Sequence, residues 1–160
     1  MVDTRTPTFE IPGFNGQQFH PGEAVYDEAR TVFNAMIDRK PALIARCASA
    51  DDVVAAVNFG RGQDLPISVY GGGHAVTGHA VVDAGLCIDL RGLKGISIDP
   101  EARTARAEAG LTWGEFDAAT QEHGLAVTGG RVTTTASPAS HSAAGAVGSS
   151  ASSASRATTW

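Results

Sequence analysis

The apolar positions of this chain change their spacing from block to block, and each change predicts an element. Residues 1–22 are broken by Pro7, Pro12, Gly13, Gly16, Pro21 and Gly22 and read as an irregular arm. Val25, Ala29, Val32, Phe33, Met36 and Ile37 recur at three and four, which predicts a helix over 23–37. Ala42 to Ala45, directly after Pro41, is a short apolar run and predicts a strand. Ser49 is placed to cap a following helix. Asp51 and Asp52 suit its first turn, and Val53, Ala56, Val57 and Gly60 share one face; Gly62 marks its end. Leu65, Ile67 and Val69 alternate as a second strand whose apolar side should face the core. Strand, helix and strand in this order predict a βαβ unit with parallel strands.

The pattern then shifts. Leu86, Ile88 and Leu90 alternate as another strand. Ile96 and Ile98 open a hairpin that turns at Asp99-Pro100-Glu101-Ala102 and returns through Thr104 to Glu108. Thr112 followed by Glu115 has capping-box spacing, so a helix should run to His123 and stop at Gly124. Val127 leads into Gly129-Gly130. The order predicts an α+β fold with mixed sheets: a βαβ unit, then antiparallel strands, then a helix.

Composition narrows the function. At 42% hydrophobic, 18% charged and a net charge of -5, the chain is globular and has no basic block, which argues against nucleic-acid and anionic-membrane partners. No apolar run approaches the roughly 20 residues of a membrane span. The amino terminus lacks the apolar stretch of a secretory signal, so the cytoplasm is the expected location. Cys47 and Cys87 match no metal spacing and read as buried thiols.

The candidate chemistry lies after the Leu65–Val69 strand, in Tyr70-Gly71-Gly72-Gly73-His74-Ala75-Val76-Thr77-Gly78-His79. Three glycines expose successive backbone amides, a concavity suited to an anion such as a pyrophosphate. Gly72 is expected to need a positive φ and a close phosphate approach. The loop is neither the dinucleotide fingerprint, since no helix signal follows, nor a P-loop, since no Lys-Ser or Lys-Thr follows. A metal site of His74, His79 and Asp83 is the weaker reading, because no register brings the three together. A plain glycine turn without a ligand is the other.

The stretch V-Y-G-G-G-H-A-V-T-G-H-A-V resembles the flavin-attachment loop of the berberine-bridge-enzyme-like, vanillyl-alcohol-oxidase-type FAD-linked oxidoreductases, whose FAD-binding domain is called PCMH-type. Tyr26–Asn34, Arg39–Cys47, Leu86–Leu90, Thr104–Asp117 and His123–Val132 resemble the same family, so the likeness runs over about residues 10–135. It implies an oxidoreductase with FAD as cofactor, covalently held through His74. It also implies cofactor contacts at Gly71, Gly72, Gly73, Ala75, Gly78, His79, Gly129, Gly130, Thr134 and Thr135. The implied chemistry is hydride transfer from an alcohol, sugar or amine-type carbon of a small molecule to flavin N5, with dioxygen as the usual acceptor. Tyr70 stands where many members carry Arg, and Val132 where doubly linked members carry Cys, which implies a single link.

The resemblance also divides the chain: an arm and helix over 1–38, an incomplete FAD-binding domain over 39–135, and a tail over 136–160. The substrate pocket and catalytic base are expected from a family portion beyond this chain, which leaves a chain inactive alone. Two readings from other classes are a non-enzymatic truncated remnant and a nucleotide-binding module without redox chemistry. The tail holds eight alanines and eight serines in 25 positions and no Leu, Ile, Phe, Asp or Glu, and is expected to be disordered. Shifted by one base, with GC-rich codons, it can be spelled G-V-A-G-L-T-L-G-G-G, the continuation the resemblance implies. A frameshifted tail is therefore expected.

Overall fold

The computed structural model describes residues 9–136 and the backbone of 148–149. The chain divides into two compact units, one of residues 1–70 and 74–89, the other of 71–73 and 90–160. The fold is α+β.

In the first unit four strands form one sheet in the order β1-β2-β4-β3, with β1 at Gln17–Phe19, β2 at Leu43–Arg46, β3 at Ile67–Tyr70 and β4 at Leu86–Asp89. The expected βαβ unit is present, but β4 lies between β2 and β3, parallel to both, so the first two strands do not touch. A strand covered on both faces needs no alternation. Leu86, Cys87, Ile88 and Asp89 are accordingly all buried, where the sequence pattern indicated one buried face. Asp89 is tolerated there because Arg46, its partner in register on β2, donates Nε to Oδ2 at 2.8 Å.

Helix α2, Ala50–Gly62, follows the sequence signals closely. The Ser49 hydroxyl accepts from Asp52 N at 3.2 Å. Asp52 Oδ2 accepts from Ala48 N at 2.9 Å and Ser49 N at 3.1 Å, and Oδ1 from Asn15 N at 2.8 Å. Burial opposes the charge on Asp52, yet these three amides and the Ser49 hydroxyl hold its pKa below the ordinary carboxylate value. At Gly60 a Cβ would stand 2.8 Å from Ile67 Cδ1, so glycine lets the helix close on the sheet.

Three expectations need correction. The arm is not wholly irregular: β1 pairs antiparallel with β2, and Phe19 joins the core. The helix over 23–37 shrinks to α1, Tyr26–Ala29. Beyond it, side chains compete for the backbone. The Thr31 hydroxyl donates to Asp27 O at 2.7 Å, and Asn34 Oδ1 accepts from Met36 N at 3.1 Å. Val32 is buried, but Phe33 and Met36 are exposed. The parity of β3 is also reversed. Ser68 and Tyr70 are buried, whereas Ile67 and Val69 are exposed, because the face that packs into the core around Phe19, Tyr26 and Cys87 is the one that carries Tyr70.

The second unit is built on a hairpin, β5 (Ile96–Asp99) and β6 (Thr104–Ala107), as its pattern predicted. Asp99 Oδ1 accepts from Ala102 N at 2.9 Å in the turn. Helix α3, Trp113–Gln121, carries the expected capping box of Thr112 and Glu115 and is followed by a left-handed Gly124. Trp113 and Phe116 from its buried face pack with Ala105, Leu111 and Leu125. β7, Leu125–Ala126, pairs antiparallel with β8, Gly148–Ser149, and Ala136 bridges to Thr112. The other residues of the Ala/Ser-rich tail, for which disorder and a frameshift are expected, lie outside the described residues.

Candidate functional site

The glycine–histidine loop begins where β3 ends. The buried Tyr70 anchors that end by donating its hydroxyl to Thr31 O at 2.7 Å. Of the three consecutive glycines, Gly73 is the left-handed one, with φ 68, not Gly72 as the sequence reading expected. Gly72 is constrained differently: a Cβ there would stand 2.5 Å from the backbone nitrogen of Ala136. The boundary between the compact units falls within the loop, with Gly71–Gly73 in one and His74 onward in the other.

His74 is partly exposed. Its imidazole stacks on Phe33, with ring centroids 4.8 Å apart and planes 25° from parallel. Ala75 and His79 are exposed, whereas Gly78 is buried with φ 69. A Cβ at Gly78 would meet Ile37 Cγ1 at 2.7 Å. The loop is braced from outside: Arg39 Nη1 donates to Gly78 O and Val81 O, both at 3.0 Å, and Asn34 Nδ2 donates to Val76 O at 2.9 Å. Asp83 accepts from Lys40 N at 2.8 Å, and among the described residues no three His, Cys, Asp or Glu side chains converge as a metal site would require.

The second glycine cluster, Gly129-Gly130, belongs with Trp113 to the unit that also holds Gly71–Gly73. A Cβ at Gly129 would stand 2.2 Å from Trp113 Cη2, and one at Gly130 2.8 Å from its Nε1. Trp113 N donates to Thr135 O, and Gly114 N to Thr133 O, both at 2.9 Å. Thr135 folds back, its hydroxyl donating to Val132 O at 2.7 Å, and Thr134 is exposed. The Trp113 Nε1 is buried and has no partner among the described residues. Sequence reasoning missed Phe33, Asn34, Trp113 and Ala136 as neighbours of these loops. Phe33 was read as a helix-face residue, and no local signal tied any of the four to a glycine.

Neither cysteine competes as a reactive centre. Both are buried thiols outside any disulfide, and burial pushes the Cys47 thiol up to about 12, so it is not a thiolate at neutral pH.

This α+β arrangement is that of an FAD-binding domain. The model of the FAD binding domain family matches residues 41–158, and the chain belongs to that family. It is 34% identical over 115 residues to (R)-6-hydroxynicotine oxidase from Paenarthrobacter nicotinovorans, covering 72% of this chain and 25% of that protein. The crystal structure of 6-hydroxy-D-nicotine oxidase from Arthrobacter nicotinovorans superposes with a TM-score of 0.75 at 29% identity, over 85% of this chain and 29% of that one. The berberine-bridge-enzyme-like 1 protein of Physcomitrella patens superposes with a TM-score of 0.73 at 25% identity, over 76% of this chain and 27% of that one. The chain therefore spans about a quarter of the length of the relatives it matches. The fold is the PCMH type expected from the sequence, its relatives are FAD-linked oxidoreductases, and FAD is its cofactor.

The residues present fit that group at the first loop. Gly73 takes a conformation that side chains resist, and it delivers the backbone directly to an imidazole that is not sealed in the core. At the second cluster the need for glycine is already met by Trp113, with no cofactor required to explain it.

Proposed function

We propose that this chain is the flavin-holding part of an oxidase and that it carries FAD covalently through His74. The observation that carries the reading is the left-handed Gly73 immediately before a partly exposed His74, within a chain of the FAD-binding family. Gly71, Gly72, Gly73, Ala75, Gly78 and His79 are assigned to the cofactor with His74, and Gly129, Gly130, Thr134 and Thr135 to the same cofactor by resemblance. Bound flavin supplies hydride acceptance at N5, with dioxygen as the terminal acceptor. The substrate class is a small molecule with an oxidisable carbon beside oxygen or nitrogen, in keeping with the oxidases among the relatives. The oxidation is that of the whole protein, and its expected place is the cytoplasm. Among the described residues no helix is long and apolar enough to cross a membrane.

The test is to load the chain with FAD, precipitate it in acid and read flavin fluorescence in the pellet. Wild type should retain yellow, acid-stable flavin, and His74→Ala should release all of it while keeping some dissociable FAD. A colourless wild-type pellet would overturn the covalent assignment.

A further inference from the structure

We propose that Phe33 is a positioning residue for His74, fixing the plane of its imidazole for attachment to the cofactor; this rests on the attachment reading above. Phe33 is 72% exposed, an unusual place for an aromatic ring that contributes little to a core. What it does touch is the face of the His74 ring.

The segment that presents Phe33 is secured on both sides. Tyr70 holds Thr31 O, two residues before Phe33. Asn34, the next residue, holds Val76 O, two residues beyond His74. Ile37 packs beneath Gly78, where a Cβ would displace it. The 31–37 segment and the 74–78 segment thus form one braced pair, and the ring stack lies between its fixed points.

Stacking covers a ring face and restrains rotation of the imidazole about its terminal side-chain torsion, which is otherwise broad. The ring nitrogens lie in the imidazole plane, at the rim of the stack, so Phe33 aims them without occupying their approach. Attachment replaces a C–H bond of the flavin ring methyl and the imidazole N–H with an N–C bond. The two hydrogens, as two protons and two electrons, reduce the ring and then pass to dioxygen, giving hydrogen peroxide. A nucleophile held in one plane reaches this geometry more often than a freely turning one.

The experiment uses the full chain, as wild type, Phe33→Leu, Phe33→Tyr and His74→Ala. NMR of the cofactor-free chain should show His74 ring protons shifted upfield by the neighbouring aromatic ring. Phe33→Leu should lose that shift, and Phe33→Tyr should keep it. On incubation with FAD, Phe33→Leu should form acid-stable flavin about five- to tenfold more slowly, while Phe33→Tyr matches wild type. Rescue by Tyr and not by Leu separates orientation from mere apolar filling. Equal attachment rates in wild type and Phe33→Leu, or no upfield shift in wild type, would overturn the role of Phe33 and leave His74 as the attachment point. Acid-stable flavin on His74→Ala, or none on wild type, would overturn the attachment reading itself, whatever the ring protons report.

Discussion

The two glycine clusters look alike in the sequence and differ in what requires them. Gly71–Gly73 follows the half-buried strand β3; Gly73 serves a left-handed backbone conformation that leads into His74, and Gly72 leaves room for the Ala136 backbone. Gly129-Gly130 lies against the Trp113 indole, so its glycines serve the close packing of an aromatic side chain. A glycine pair marks a place where something approaches the backbone. It does not say whether the visitor is a ligand or a neighbouring residue.

The sharpest way to break this comparison is at Gly129. Gly129→Ala should destabilise the chain by about 3 kcal/mol, because the new methyl overlaps Trp113. Urea unfolding of Gly129→Ala, Trp113→Leu and the double variant should show a favourable coupling in the pair. Purely additive costs would mean that the cluster is not glycine for the sake of Trp113.

Gly72→Ala comes next, at about 2 kcal/mol, since its methyl meets the Ala136 backbone rather than a flexible side-chain end. Gly73→Ala should cost about 1 kcal/mol, the penalty of a left-handed residue with a Cβ. Its effect on acid-stable flavin should nevertheless exceed that of Gly129→Ala, because only Gly73 sets the approach to His74. The reverse order, measured on pellets from the same preparations, would erase the functional distinction between the clusters.

The smallest effect is electrostatic and belongs to the second cluster alone. Glu115 caps the helix that begins with Trp113. Lys94 Nζ donates to it at 2.6 Å and Thr112 N at 2.7 Å, and together they pull its pKa from 4.5 to about 2. Because the folded value lies below the unfolded one, this contribution is fully present above pH 4.5 and is lost as pH falls toward 2. Glu115→Gln should flatten the acid limb of a urea-midpoint profile over that window, and added salt should weaken the wild-type effect because the pair is half exposed. A profile unchanged by the substitution would remove Glu115 from the account of α3.

How far the sequence reached depended on whether the deciding interaction was local. Ser49 with Asp52 and Thr112 with Glu115 capped their helices as written, since partners three residues apart need no distant support. The β5–β6 hairpin and the left turn at Gly124 were legible for the same reason. The family was legible too, because the attachment loop and its flanking stretches are contiguous in the chain.

Tertiary structure decided the rest. Apolar spacing over 23–37 was genuine, but bonds from Tyr70, Asn34 and Thr31 ended the helix at Ala29. Packing of α2 against Leu86 and of the Phe19 core against Cys87 buried both faces of β4, whose alternation indicates one. Packing of Tyr70 into the core around Phe19 and Cys87 decided which side chains β3 buries. The choice of Gly73 rather than Gly72 as the left-handed residue, and of Trp113 as the neighbour of Gly129, required contacts across long stretches of chain. Periodicity reports which residues can share a face; only the packed neighbours determine which face is buried and which glycine must stay bare.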